Sequence, residues 1–163
     1  MHVPFDQLSI HSKVWIYASQ VPFTSEQIAI ISKELDRFTD SWQAHGADLK
    51  ASYEIKHNHF IVIGVDETHH TPSGCSIDKS VQVIKNIESQ LNIDLMNRLV
   101  VYVLTNGVVN TYAAGKLSSA IQDGLLHVDS QVFDNTITSF SNYQNEWLKP
   151  AQETWLHRYF TLV

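Results

Sequence analysis

The alternation of apolar and polar positions divides the chain into short strands and two long amphipathic helices. Lys13 to Ser19 (KVWIYAS) sets Val14, Ile16 and Ala18 on one face and Trp15 and Tyr17 on the other. Both faces are apolar, which predicts an inner strand. Thr24 followed by Gln27 has capping-box spacing, and Phe23 with Ile28 has staple spacing. Ile28, Ile31, Leu35, Phe38 and Trp42 then form one helical stripe. That helix is expected to stop at Gly46, with His45 in its last turn. Leu49 to Lys56 alternates as a half-exposed strand does, His57-Asn58-His59 makes a turn, and Phe60 to Val65 is a continuous apolar run suited to a buried strand. Ile77, Val81, Ile84, Ile87 and Leu91 make a second helical stripe. Leu99 to Leu104 is a strand, Asn106-Gly107 is a hairpin signal, and Val108 to Tyr112 returns beside it. Lys116 to Asp123 is a short helix ended by Gly124, and Gln131 to Phe140 fits short strands or extended loop. Ser141 to Leu148 fits a helix, and Pro150 suits the first turn of a last one carrying Trp155, Tyr159 and Phe160.

The first six elements have the order of a ferredoxin-like βαββαβ unit. The expected fold is therefore α+β: an antiparallel sheet in that order with helices on one face, an added hairpin strand and a mostly helical C-terminal extension. Residues 1–113 would form the sheet and its two packing helices, with 114–163 packed on them as part of a single domain. At 163 residues the length fits one domain, and 17% charged residues is low against about 25% for soluble domains. A net charge of −6 with no basic run disfavours nucleic acid as a partner. The single cysteine, Cys75, excludes an internal disulfide and a Cys-rich zinc site. The N-terminal residues lack the pattern of a signal peptide, and no apolar run is long enough for a membrane span. A cytoplasmic protein is expected. The tail combines Trp147, Trp155, Tyr159 and Phe160 with Lys149, His157 and Arg158, a composition that serves core packing or a homodimer surface.

Candidate chemistry concentrates in Thr71 to Ser80, TPSGCSIDKS. As a phosphate loop it lacks the second glycine, and Asp78 before Lys79 would repel phosphate. As a thiol site it would place Cys75 at a helix N-terminus, where the dipole favours thiolate, with His69 or His70 as base and Asp66 orienting it. Asp78 opposes that reading, and the alternative is a small cysteine packed under the loop. As a cap it needs only Ser76 at N-cap and Asp78 in the first turn, with Gly74 allowing the entry. Trp42 and His45 could line a ligand cleft with Ser76 and Asp78. His57 and His59 share one strand face, a spacing seen among metal ligands, but the following strand separates them from His69 and His70. No metal or cofactor is implied.

Three stretches, KVWIYAS, SWQAHG-DLKASYEI followed by SGCSIDKS, and VFDN…EWLKPAQETWLHRYF, resemble a small family of uncharacterised bacterial proteins of about this length. Some of its members carry the label "ABC transporter ATPase". The residues here argue against that label: the phosphate loop is incomplete, Val65-Asp66-Glu67 precedes the Gly74 loop instead of following it, and no LSGGQ-like stretch is present. The expected function is a binding or interaction protein for an unknown small molecule or protein, without ATPase activity. The alternative is a small thiol-dependent or redox-responsive protein using Cys75.

Overall fold

The computed structural model describes residues 1–68 and 70–161. Its elements are β1 (Lys13–Ala18), α1 (Ser25–Ser41), β2 (Gln43–Ala44), β3 (Ala47–Asp48), β4 (Lys50–Lys56), β5 (Phe60–Asp66), α2 (Gly74–Leu91), β6 (Val100–Thr105), β7 (Val108–Ala113), α3 (Leu117–Gln122), β8 (Gln131–Phe133), α4 (Phe140–Glu146), β9 (Leu148–Pro150) and α5 (His157–Phe160). The class is mixed α+β and the sheets are antiparallel, as the patterning predicts.

A three-stranded sheet runs β1-β5-β4, and a four-stranded sheet runs β7-β6-β8-β9. The period of two along each strand explains how they stack. From β1 and β5, Trp15, Tyr17, Ile61, Ile63 and Val65 pack under α1 and α2. Their alternates Val14, Ile16, Ala18, Phe60 and Val62 pack against Tyr102, Phe133 and Trp147 of the second sheet region. The second sheet is two-faced as well: Val101, Val103 and Val132 turn outward onto Leu117, Ala120, Leu126 and Leu156. The molecule is thus layered helix, sheet, sheet, helix, and the inner strands β5 and β6 are covered on both faces while the edge strand β7 stays partly exposed.

Local signals in the sequence are realised closely. Thr24 Oγ1 accepts the Gln27 N–H at 3.1 Å while Gln27 Oε1 accepts the Thr24 N–H at 3.0 Å. Ile31 and Leu35 on the stripe of α1 are fully buried. Asn106 and Gly107 both take positive φ, the conformation a two-residue hairpin needs.

Three expectations change. Val100–Thr105 does not lie beside β1, so a single ferredoxin-like sheet is not formed. The outer edge of β1 is occupied by other backbone: Val14 N–H donates to Thr138 C=O at 2.9 Å, and Ala18 N–H to Leu95 C=O at 3.1 Å. Next, α1 stops at Ser41, before Gly46. Trp42 leaves helical geometry to bury its ring, and His45 (φ 52°) with Gly46 (φ 79°) turns the β2–β3 hairpin. Finally, the C-terminal extension is not mostly helical. Pro150 closes strand β9, which pairs with β8, and leads only into a single 3-10 turn, Ala151–Glu153, before the short α5.

Candidate functional site

The loop into α2 is a helix cap, displaced by one turn from its expected position. Ser73, not Ser76, is the N-cap: its Oγ accepts the Ser76 N–H at 3.1 Å. Starting the helix at Gly74 carries Asp78 beyond the first turn, which has no acidic residue. Ser76 is buried, its hydroxyl donating to Ser73 C=O at 2.8 Å. Its own carbonyl accepts the Trp42 indole N–H at 2.8 Å. Trp42 is 1% exposed and stacks near Phe38 at 4.8 Å. Trp42 and Ser76 therefore meet each other and close a helix–helix joint, whereas His45 and Asp78 are exposed on the surface. Small serines at 76 and 80 make room for that joint, which is why they are buried where the stripe predicts Ile77 and Val81.

Cys75 is exposed in the first turn of α2, so it does not fill space under the loop. Asp66 is buried at the end of β5, accepts the Thr68 N–H at 2.8 Å and the Thr68 hydroxyl, and lies 4.0 Å from Lys50 Nζ. His70 is exposed and shares a small cleft with Asp66, Asp48 and Lys50; Cys75 does not line it. His69 lies outside the described residues. His59 is buried, with Nδ1 placed 2.8 Å from Ser19 C=O as a donor to it. His57 sits at φ 52° in the turn. Its pKa is lowered by burial, then by the charges of Lys56 and His59. Among the described residues no three of His, Cys, Asp and Glu come together in a metal-sized cluster.

A different place combines concavity with unsatisfied polar groups. β6 pairs with β8 only at Val103 and Leu104. Beyond Phe133 the chain swings toward β1, where Thr138 accepts from Val14. The two strands splay, and the wedge between them is a cleft of about 130 Å³. Ile16, Ala18, Leu95, Val132 and Phe133 give it apolar walls. An adjoining groove of about 440 Å³ shares Ile16, Arg98, Asn135 and Thr136 with it.

The polar lining is specific. Tyr102 is 3% exposed and its hydroxyl has no hydrogen-bond partner among the described residues. Burial, then the Asp94 charge, pushes its pKa up to about 12, so it is a neutral phenol at ordinary pH. Arg98 is exposed at the mouth and takes part in no ion pair among the described residues. Its charge offsets part of the rise that burial imposes on Tyr17. Asn135 Oδ1 accepts the Trp147 indole N–H at 2.9 Å, which leaves its amide N–H groups to donate elsewhere. Asp134 is raised by burial, but the Thr136 hydroxyl and N–H and the Lys149 ammonium at 3.2 Å outweigh that and hold it below the usual carboxylate range. The mouth therefore carries a neutralised carboxylate and an uncompensated guanidinium.

No protein-family model, no curated protein and no solved structure matches the chain. Among the described residues no helix is long and apolar enough to cross a membrane. Sequence reasoning missed the cleft because Arg98, Tyr102, Asn135 and Trp155 belong to separate segments with no local motif. The VFDN stretch was the one available signal: an Asp-Asn pair directly after a strand, where side chains at a strand end converge on a site.

Proposed function

We propose that this protein is a cytoplasmic binding protein, without ATPase activity, whose ligand site is the cleft between β6 and the segment after β8. The observation that carries this is a wedge with apolar walls and a polar mouth at Arg98 and Asn135, beside a buried Tyr102 hydroxyl that has no partner among the described residues. Buried polar groups are nearly always paired, and apolar concavities with a few polar groups are the usual form of small-molecule sites. Three strands in ferredoxin-like order, β1-β5-β4, form the platform under it. The net charge of −6 speaks against nucleic acid as the partner.

The test is ligand-observed NMR against a panel of small metabolite-like acids, amines and neutral compounds, repeated on Ala18→Leu. Ala18 is a buried residue of the cleft wall, and a larger side chain there fills the space. Compounds that bind the wild-type chain and lose binding in the variant support the reading. Equal binding to both places the ligand elsewhere and sinks it.

The exposure of Cys75 favours a second reading, an accessible thiol at the start of α2. On that reading the Cys75 thiolate attacks a small-molecule disulfide in the native state, forming a mixed disulfide and releasing one small thiol. Substitution of Cys75 by Ser would abolish that adduct without touching the cleft.

A further inference from the structure

From the chemistry of the cleft we infer that its ligand is a small monocyclic carboxylate, ring inward and carboxylate at Arg98. This rests on the cleft being the binding site, and it adds the class of molecule. The space is about 130 Å³, close to the apolar cavity of about 150 Å³ that accommodates benzene. One ring fits the wedge. Depth sorts the polar groups. Tyr102 is buried and Arg98 exposed, so the charged end of a ligand belongs at the mouth. The Asp94 charge acts on Tyr102 and would oppose an anion placed deep in the cleft, whereas a neutral ring meets no such repulsion.

At the mouth, Arg98 offers a planar donor fork suited to a carboxylate. The Asn135 amide adds a neutral donor, and Asp134 does not compete for Arg98 because Lys149 and Thr136 already hold it. Trp155, 51% exposed, stands at the rim with the Arg158 guanidinium 5.5 Å from its ring centroid. An exposed indole there serves as a fluorescence reporter of occupancy at the mouth.

The experiment compares phenylacetate, 4-hydroxyphenylacetate and the neutral phenylacetamide by titration calorimetry on the full chain, with Arg98→Gln and Tyr102→Phe. Phenylacetate should bind at least about tenfold more tightly than the amide, the factor that one charge-assisted hydrogen bond supplies. Arg98→Gln should erase that difference while leaving amide binding unchanged. Tyr102→Phe should leave the affinity for both acids unchanged, because the hydroxyl it removes is closed to the cleft in the free protein. Arg98 is exposed, so its substitution leaves the fold intact, and unchanged thermal unfolding confirms this. If acid and amide bind equally, or Arg98→Gln weakens both alike, the carboxylate assignment is overturned while the cleft remains a site. If none of the three binds at millimolar concentration, the inference is overturned. Binding of other compounds in the NMR panel, abolished by Ala18→Leu, then decides whether the cleft reading survives it.

Discussion

Replacing Tyr102 by Phe should stabilise the free protein. The ring is held by Phe60 at 5.2 Å and His59 at 6.4 Å, contacts a phenyl group keeps. Only the hydroxyl is lost, and that hydroxyl is buried without a partner among the described residues. An unsatisfied buried donor is worth about 1–3 kcal/mol of destabilisation, and the lower end suits a group at a cleft wall. The expected gain is about 1 kcal/mol, or about 2–4 °C in Tm for a domain of this size. Urea unfolding with an unchanged slope reads it directly. Tyr53→Phe is the internal control, because the Tyr53 hydroxyl donates to Asp36 Oδ1 at 2.7 Å and lies 3.1 Å from Ser32 C=O. That variant should lose about 1 kcal/mol. If Tyr102→Phe is destabilised to the same degree as Tyr53→Phe, the hydroxyl has a partner in the free state, and the reasoning from an orphaned polar group fails.

Trp42→Phe removes the indole bond to Ser76 while leaving most of the ring packing, so it should lower stability by about 1 kcal/mol in the same urea assay; no change would mean the α1–α2 joint rests on packing alone. Native Cys75 should alkylate without unfolding, since it is exposed, and labelling that tracks the unfolded fraction would contradict its placement. Alkali should weaken the fold from pH of about 10 upward. Burial raises Tyr53 and Tyr102 to about 12, helped by Asp36 and Asp94 respectively. The unfolded chain, with tyrosines near about 10, loses those protons first. The tyrosine contribution to stability is then constant below about 10 and is lost through about 12; urea midpoints independent of pH between those values would refute it.

What the sequence revealed follows the range of the interactions involved. The Thr24–Gln27 box, the Asn106-Gly107 turn and the two-faced β1 were legible because each is decided within a few residues. The N-cap was misplaced by three positions because Ser73 and Ser76 are equally good caps in isolation; burial of Ser76 under Trp42 decides between them. The fourth strand of the expected unit went elsewhere because the edge of β1 was claimed by Thr138 and Leu95, residues that no local pattern marks as edge-binding. Arg98, Tyr102 and Asn135 carry no local pattern that marks a site, and only the splaying of β6 from β8 brings them to one cleft.

The back-to-back sheets also govern the order in which this chain can become compact during synthesis. Phe60 in the first sheet meets Phe133 at 4.7 Å and Trp147 at 5.0 Å, both encoded far downstream. Until the segment through Trp147 has been made, α1 and α2 can cover one face of β1 and β5 while Phe60 and Val62 on the other stay open to solvent. Contacts of such long sequence separation slow folding and lengthen the exposure of apolar surface. The early half is therefore a one-sided sheet that depends on later residues, and its hazard is self-association in the interval before they arrive.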